Sequence, residues 1–305
     1  MLRAMGPNAL FAVVPNFSEG RRGEVMDAIC AALQVPGARL VARQADADHH
    51  RLDTTVVGDG KAVYESAMAA ARVAVSSIDM DVHRGAHPRM GAVDVVPFVP
   101  VRDATMDDAV TLARAFGRDL AETLDLPVYL YDRAALIPER VSLAVVREGE
   151  LKGLRADVER GKRLPDHGPH MIGRAGATAV GARKPLVAFN VYLGGDDGDA
   201  AAQIARVIRE SSGGLPALRA IGFAVPERGG VTVSMNLVDH EVTGLVDAFE
   251  AVFTEASARG LDVVDSEVVG LVPGSALGPG VAEHVRLSGF DPAKQVLERA
   301  AEGEP

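Results

Sequence analysis

The fold of this chain is constrained most by one order of predicted elements that occurs twice along its 305 residues. Short apolar runs typical of strands alternate with stretches of helical spacing in the order β-α-β-β-α-β. In the first half the predicted strands are Leu10–Val14, Ala38–Gln44, Thr54–Gly58 and Ala92–Val99, and the predicted helices are Arg22–Leu33 and Lys61–Val75. The elements predicted to extend this half are a helix, Met106–Leu124, and a strand, Pro127–Tyr131.

The second half repeats the order without repeating the sequence. Its predicted strands are Leu186–Leu193, Ala217–Val225, Val231–Leu237 and Leu261–Val269, and its predicted helices are Ala200–Glu210 and Glu241–Arg259. An antiparallel sheet with two helices on one face leaves its other face to be covered, and the twin sheet is the natural partner. We therefore predict an α+β fold of two ferredoxin-like (βαββαβ) subdomains, with stacked β-sheets inside, helices outside and a ligand cleft along the seam.

Three ranges follow from this pattern. Residues 1–160 are predicted to form the N-terminal subdomain, residues 161–184 a connecting loop, and residues 185–305 the C-terminal subdomain. The small residues of 177–181 indicate that the connection is an ordered loop and not a disordered linker. A short helix, Pro292–Ala301, is predicted near the end of the chain.

Composition excludes several classes of partner. The net charge of −10 argues against nucleic acid and against an anionic membrane surface. Aromatic residues make up only 4% and tryptophan is absent, so stacking surfaces for single-stranded nucleic acid are not expected. The single cysteine, Cys30, excludes an internal disulfide framework and is predicted to be buried in a helix. No apolar run reaches about 18 residues and no leader pattern opens the chain, so we expect a cytoplasmic protein.

The segment 83–100 is the strongest candidate for chemistry. Residues 85–91 have the composition of an irregular loop, and they lead into a run typical of a buried strand. Loops set against a rigid strand often carry reactive side chains. His87, held between Ala86 and Pro88, can give and take a proton near neutral pH, so it is the candidate catalytic residue. The alternative is a salt-bridged loop with a hydrogen-bonded histidine.

Charged residues surround this histidine in the sequence. Arg84 and Arg89 flank it, and guanidinium groups bind carboxylates with two parallel hydrogen bonds. Asp94 follows in the strand, where it could orient the imidazole or pair with Arg89. These three residues are therefore candidates for substrate binding.

A second candidate lies at Val14–Arg21, where a strand ends and a helix begins. Backbone N–H groups at a helix start, together with Asn16 and Ser18, could hold an anion or a carbonyl group. The alternative is a turn with a capping hydroxyl.

The run Asp46–Arg51 places two carboxylates beside two imidazoles, which resembles a metal site. Adjacent residues of a strand point apart, however, and zinc ligands normally come from separated positions. We therefore predict no metal here, and expect a hydrogen-bonded loop edge in which Arg51 pairs with a carboxylate.

The remaining candidates lie at the connection and in the second half. Small residues fill 176–184, so a backbone can approach a ligand closely there, although the spacing is not that of a phosphate-binding loop. Arg183 and Lys184 end this run, and a tight connection between subdomains explains the pattern equally well. Asn190 and Asn236 stand in apolar strands, where a polar side chain is either hydrogen-bonded or functional.

Taken together, these motifs resemble the glutamate formiminotransferase (glutamate formimidoyltransferase) family. The matching segments run in order from about residue 13 to 277: Val14–Arg21, Gly85–Asp94 with Pro97 and Phe98, Pro127–Tyr131, Gly168 and Pro169, Gly176–Lys184, Ala188–Asn190, Val233–Leu237 and Gly270–Pro273. The first two segments are highly specific together. Because the chain ends early, we expect the stand-alone form, without the fused cyclodeaminase of the animal enzymes.

The resemblance implies an activity in one-carbon metabolism and histidine breakdown. The family transfers a formimino group between N-formimino-L-glutamate and tetrahydrofolate, giving glutamate and 5-formiminotetrahydrofolate. It implies tetrahydrofolate as co-substrate, held between the subdomains, and a homodimer.

The family's site residues can be carried onto this sequence position by position. Its catalytic histidine falls on His87. Its folate-binding stretch falls on Gly168, Pro169, His170, Met171, Ile172, Gly173, Arg174, Ala175 and Gly176. The candidate substrate-binding residues are Asn16, Ser18, Arg84, Arg89, Asp94, Arg183, Lys184, Asn190 and Asn236.

The chain departs from the family pattern at five positions. These are His50, Asp53, His167, Tyr192 and Thr232, where the family usually has Asn, an apolar or small residue, Phe, Asn and Gln. If they line the cleft, the substrate could differ. The alternatives are therefore a folate-dependent formimino or formyl transferase that acts on a different amine, and a folate-binding relative without turnover.

Overall fold

The computed structural model describes residue 6, residues 8–86 and residues 88–302. The chain packs as two units that are divided between Arg183 and Lys184, and each unit has its own sheet and its own core. The fold is mixed, with helices and two sheets, as expected for the α+β class. Among the described residues, no helix combines the length and the apolar character needed to cross a membrane.

The first unit follows the predicted order of elements. Its strands are β1 (Leu10–Val13), β2 (Asn16–Phe17), β3 (Ala38–Asp46), β4 (Arg51–Gly58), β5 (Val93–Arg102), β6 (Val128–Asp132) and β7 (Thr178–Ala182). Its helices are α1 (Gly23–Ala32), α2 (Gly60–Ser77), α3 (Met106–Leu124), α4 (Leu143–Val146) and α5 (Glu150–Glu159). The predicted strand Leu10–Val14 is continued by β2 after Pro15, which has no N–H to offer a ladder.

One sheet contains all seven of these strands. β4 pairs with β3 on one side and with β1 and β2 on the other, and β5 follows on the far side of β1 and β2. These pairings are antiparallel, whereas β7 runs parallel to both β5 and β6. Polar groups cap the longer helices: Asp59 accepts from the N–H of Ala62 at the start of α2, and Thr105 and Asp108 form a capping box at the start of α3.

Strand β7 corrects the prediction of a loop across 161–184. Residues 178–182 form a buried strand inserted between β5 and β6. Their small side chains allow this close packing, since a Cβ at Gly181 would lie 2.5 Å from the ring of Tyr131. The small residues therefore serve a sheet interior and not a flexible connection.

The core of the first unit lies between the sheet and helices α1 to α3. Its largest buried side chains include Phe11, Ile29, Phe98, Leu112 and Phe116. Alternate residues of β5 to β7 face the other way, and there α4 and α5 cover them with a second apolar cluster. Part of the second sheet face is thus covered within the unit, by helices that the sequence pattern did not predict.

The second unit has a four-stranded antiparallel sheet in the order β11-β8-β10-β9. Its strands are β8 (Val187–Leu193), β9 (Leu218–Val225), β10 (Gly230–Leu237) and β11 (Val263–Val269). Its helices are α6 (Gly198–Ile208), α7 (Leu245–Ser257), α8 (Val281–His284), α9 (Pro292–Gln295) and α10 (Leu297–Glu302). Helices α6 and α7 share one apolar core with the sheet.

Two predicted helices of this unit have different bounds in the structure. Helix α7 starts at Leu245 and not at Glu241, because Asp247 accepts from the N–H of Gly244 and fixes the cap there. The predicted helix Pro292–Ala301 is interrupted at Val296, whose extended backbone pairs with Val272. Tertiary pairing therefore overrides the helical pattern at that residue.

Candidate functional site

The predicted catalytic residue, His87, lies outside the described residues, but the segments on both sides of it are described. We refer to residues 81–91 as the 81–91 loop, and it joins α2 to β5. The surroundings of position 87 are therefore defined by the residues that contact this loop.

The residues on either side of the 81–91 loop are hydrogen-bonded to the predicted folate-binding stretch, residues 168–176. The N–H of Met80 donates to the carbonyl oxygen of Arg174 over 2.8 Å, and the N–H of Ala92 donates to that of Ala175 over 2.8 Å. The structure thus brings together the segment that carries the candidate catalytic histidine and the segment to which the family resemblance assigns folate binding.

Glycines make this contact close. Gly91 and Gly176 form an isolated bridge, and a Cβ at Gly91 would lie 2.1 Å from the carbonyl oxygen of Ala177. Gly176 has a φ of +77°, in the left-handed region that favours glycine. No larger residue would allow the two segments to run side by side at this point.

The 168–176 stretch presents mostly exposed groups. Gly168, His170, Gly173 and Arg174 are exposed, and Met171 is 73% exposed. Of the two long apolar side chains in the stretch, Met171 is exposed and Ile172 is buried. Ile172 packs into the apolar cluster beneath α4 and α5 and so anchors the stretch. An exposed strip with one apolar anchor can contact a ligand without unfolding the sheet below it.

A polar cluster lies on the sheet face opposite helices α1 to α3. Asn16 and Asp53 are register partners on β2 and β4, and Arg51 donates to the side-chain oxygens of both, over 2.7 Å for Asp53. The predicted pairing of Arg51 with a carboxylate is confirmed. Burial raises the pKa of Asp53, and the nearby guanidinium of Arg51 opposes this effect.

Asp94 lies at a bulge in the pairing of β2 with β5, and bulges often redirect side chains near functional sites. Its carboxylate accepts the N–H of Met90 over 2.7 Å and forms a buried ion pair with Arg147. Arg89, the partner considered from the sequence, donates to the carbonyl oxygen of Gly85 over 2.6 Å. No sequence motif pointed to Arg147, because this residue follows α4 in a segment without a strong pattern.

Ser18 and Asp94 act on the same end of the loop. The hydroxyl of Ser18 donates to the carbonyl oxygen of Gly91 over 2.7 Å, and its N–H donates to that of Ala92 over 3.0 Å. Both side chains are buried. Their observed role is to fix the backbone between the loop and β5.

The predicted anion-binding turn before α1 is occupied by the chain's own carboxylate. Glu19 is fully buried and accepts from the N–H groups of Arg21 and Arg22, over 3.0 and 2.9 Å. Its other partners are the side chains of Arg22 and His50. Burial by itself would raise the pKa of Glu19, but these hydrogen bonds outweigh it and lower the pKa to about 2.

Two stacked imidazoles lie next to this carboxylate, one from His50 and one from His83 of the 81–91 loop. The rings of His50 and His83 are 4.0 Å apart and inclined by 13°. Burial and the positive charges nearby, His50 and then Arg89, lower the pKa of His83 to about 4, so its ring is neutral near pH 7. Among the described residues, no group of three or more histidine, cysteine or acidic side chains is arranged to hold a metal ion.

A cavity of about 580 Å³ opens beside the loop, which is within the usual size range of small-molecule sites. Its lining is strongly charged and of both signs. The lining residues are Met80, Asp81, His83, Arg84, Arg89, Glu150, Leu151, Lys152, Arg155, Ala156 and Glu159. Arg84 and Arg89, two of the predicted substrate-binding residues, therefore border one space.

The remaining predicted residues lie at the end of the first unit or in the second unit. Arg183 follows β7, and its N–H donates to the carbonyl oxygen of Phe98. The ammonium group of Lys184 pairs with Asp239 and Glu241, over 2.8 and 2.5 Å.

Asn190 and Asn236 lie on the sheet face of the second unit that points away from its core, and Asn236 is exposed. Asn190 is within 3.5 Å of the hydroxyl group of Tyr192, which donates to Glu267 over 2.6 Å. The face thus carries an ordered polar patch.

The comparisons with known proteins cover both units. The profile described as the formiminotransferase domain, N-terminal subdomain, matches residues 10–183, and the profile described as the formiminotransferase domain matches residues 188–285. The chain belongs to the formiminotransferase family. The boundary between the two profiles coincides with the division between the structural units. The family resemblance inferred from the motifs is confirmed.

Curated relatives of this family align with nearly the whole chain. The glutamate formimidoyltransferase of Streptococcus pyogenes serotype M1 is 42% identical over 93% of this chain and 96% of its own length. The glutamate formimidoyltransferase of Thermoplasma acidophilum is 39% identical over 96% of this chain and 98% of its own length. The formimidoyltransferase-cyclodeaminase of Rattus norvegicus is 44% identical over 88% of this chain, but over only 51% of its own length.

Proposed function

We propose that the chain transfers a formimino group between N-formimino-L-glutamate and tetrahydrofolate, giving glutamate and 5-formiminotetrahydrofolate. The observation that carries this proposal is the family match across both units, with relatives named glutamate formimidoyltransferase that align over nearly their full length. The hydrogen bonds that join the 81–91 loop to the 168–176 stretch support it, because both substrates must meet in one place.

In the proposed mechanism His87 is the general acid and base. The N5 atom of tetrahydrofolate attacks the amidine carbon, and His87 takes the proton that N5 releases. The same imidazole then returns the proton to the glutamate nitrogen as the carbon–nitrogen bond to glutamate breaks. Proton transfer of this kind typically accelerates a reaction about 10²- to 10⁴-fold.

Tetrahydrofolate is the proposed co-substrate, and residues 168–176 are proposed to contact it. The exposure of this strip and its bonds to both ends of the 81–91 loop support that assignment. Arg84 and Arg89 are proposed to bind carboxylate groups of the substrates from the charged cavity.

The other candidate residues divide into two groups. For Asn16, Ser18 and Asp94, the observed hydrogen bonds favour a role in positioning the polar face and the start of β5. Arg183, Lys184, Asn190 and Asn236 are proposed as substrate contacts on the family resemblance alone.

We also propose that each unit is a ferredoxin-like subdomain. The order β3-β4-β1-β5 in the first unit and β11-β8-β10-β9 in the second support this, since each places the elements of a βαββαβ unit in one sheet. The stacking of the two sheets, the role of residues 161–184 as the link, the homodimer and the cytoplasmic location stay predictions.

The proposal is tested with the purified chain, N-formimino-L-glutamate and tetrahydrofolate, with mass spectrometry of the folate product. The expected result is 5-formiminotetrahydrofolate, and His87→Ala should lower kcat by about 10²- to 10⁴-fold. His284→Ala is the matched control, because this histidine is exposed on α8 and pairs with Glu250. Full turnover by His87→Ala would refute the mechanism, and absence of any formimino transfer by the native chain would refute the function.

A further inference from the structure

The turn between β3 and β4 is the surface on which the 81–91 loop rests. The N–H of Ala86 donates to the carbonyl oxygen of Asp48 over 3.2 Å. Gly85 lies so close to the turn that a Cβ there would be 2.5 Å from the carbonyl oxygen of His49. The last described residues before position 87 are therefore in direct contact with this turn.

His50 is the last residue of the turn, and its ring contacts both the 81–91 loop and the buried carboxylate of Glu19. Its backbone is left-handed, with a φ of +52°, and this conformation directs the chain into β4. The ring nitrogen Nδ1 is 2.8 Å from the carbonyl oxygen of Arg84, and Nε2 is 3.0 Å from Oε1 of Glu19. One side chain thus bridges the loop and a buried carboxylate.

The two partners determine the protonation state of the ring. A backbone carbonyl oxygen can only accept a hydrogen bond, and so can an ionised carboxylate. Glu19 is ionised, because it is fully buried among donors from Arg21 and Arg22. Both nitrogens of His50 must therefore donate, which requires the imidazolium form.

The neighbouring imidazole is suited to stack on that cation. His83 donates from Nε2 to the carbonyl oxygen of His50 over 3.3 Å, and its Nδ1 is buried without a hydrogen-bond partner. It is thus the neutral ring of the stacked pair. The charged groups next to the pair are Glu19, which precedes α1, and Arg89 from the loop. Arg22 pairs with Glu19, and the guanidinium of Arg84 donates to the carbonyl oxygen of His83.

We propose that His50 is a positioning residue, whose imidazolium bridges Glu19 and the carbonyl oxygen of Arg84 and thereby holds the loop that carries His87. Loss of one ring proton would remove one of the two hydrogen bonds and so weaken the hold on the loop. The catalytic consequence rests on the proposed function, whereas the bridge itself does not.

The bridge is tested directly by NMR of the full chain labelled with ¹⁵N at histidine. Both ring nitrogens of His50 should have the chemical shifts of protonated nitrogens at pH 6, and His50→Asn assigns the signals by their loss. A ring nitrogen of His50 without a proton at pH 6 would overturn the proposal, whatever the activity of the chain.

The effect on the loop is tested with His50→Asn and with His284→Asn as the matched control. Asparagine tolerates the left-handed backbone, so His50→Asn removes the ring without straining the turn. His284 pairs with Glu250 over 2.6 Å but lies exposed in the second unit, so the same substitution there should change nothing in the loop. The amide of Ala86 should exchange faster with solvent in His50→Asn only.

For turnover, His50→Asn should lower kcat by about ten- to a hundredfold while KM changes little, as expected when a reacting group is misplaced. Unchanged exchange at Ala86 together with an unchanged kcat in His50→Asn would refute the proposal. If the native chain transfers no formimino group, the proposed function fails, and the NMR and exchange results still decide on the bridge.

Discussion

At the residue scale, Glu19 explains why the junction before α1 cannot serve as an open anion site. Its carboxylate receives two backbone N–H groups and an arginine side chain in a fully buried position. The sequence shows a turn and a helix start, but the contact of this side chain with His50 joins residues that are 31 positions apart. The residue is therefore structural and orients His50.

Glu19 also predicts a pH dependence of stability. Because its pKa is about 2 in the folded chain and 4.5 as the ordinary value, the unfolded chain binds more protons between these values. The stabilisation, of the order of 3 kcal/mol, is complete above pH 4.5 and is lost as the pH falls towards 2.

Urea unfolding between pH 6 and pH 2.5 measures this contribution. Glu19→Gln should be less stable than the native chain at pH 6, and the difference should shrink as the pH falls. Glu65→Gln is the control, because Glu65 is exposed and pairs with Lys61 on the surface of α2. A constant difference between Glu19→Gln and the native chain across this range would contradict the assignment.

At the element scale, the site depends on how closely β7 and the residues that precede it run beside the start of β5. The loop predicted across 161–184 contains this strand, because its small residues fit between β5 and β6. Periodicity could not reveal a short parallel strand whose pairing partners lie far away in the sequence. The segment that precedes β7 includes residues 168–176, and it is hydrogen-bonded to the residues on either side of the 81–91 loop.

This close approach predicts opposite outcomes for two glycines. Gly91→Ala should destabilise the chain by about 1 to 3 kcal/mol, because the new Cβ would collide with the carbonyl oxygen of Ala177. Gly173→Ala should change stability by less than about 0.5 kcal/mol, since nothing lies within 4 Å of its Cβ position. Denaturant unfolding of both variants provides the comparison, and equal stability of the two would show that the segments are not in close contact.

At the scale of the whole molecule, the described residues of each unit form a core between the sheet of that unit and the helices packed on it, and the first unit has a second apolar cluster beneath α4 and α5. The division falls between Arg183 and Lys184, close to where the two family profiles meet. A unit with its own buried core can fold as a cooperative domain.

The second unit should therefore fold when residues 184–305 are expressed alone. We expect helical and strand signals in circular dichroism and a single cooperative transition in urea. Val233→Asp, which places a charge in the fully buried core of the unit, should abolish the transition. If residues 184–305 with the native sequence unfold gradually, as is expected of Val233→Asp, the second unit depends on the first for its fold.

The sequence by itself determined the family and the order of the repeated helices and strands, because local periodicity and short motifs are written in consecutive residues. It did not reveal α4, α5 or β7. It also identified Arg51 as the partner of a carboxylate and Cys30 as buried. The composition of residues 85–91 directed attention to the loop that carries His87, and the family resemblance directed it to residues 168–176.

Only the tertiary structure decided the partners of buried charges. The pairing of Asp94 with Arg147, the burial of Glu19 and the stacking of His50 on His83 join residues that are 31 to 53 positions apart. Such contacts depend on which strands are neighbours and on how deeply each side chain is buried, and neither quantity is encoded in local spacing. Ion pairing and desolvation act through space, so the electrostatic character of this site emerges only once the sheet has formed.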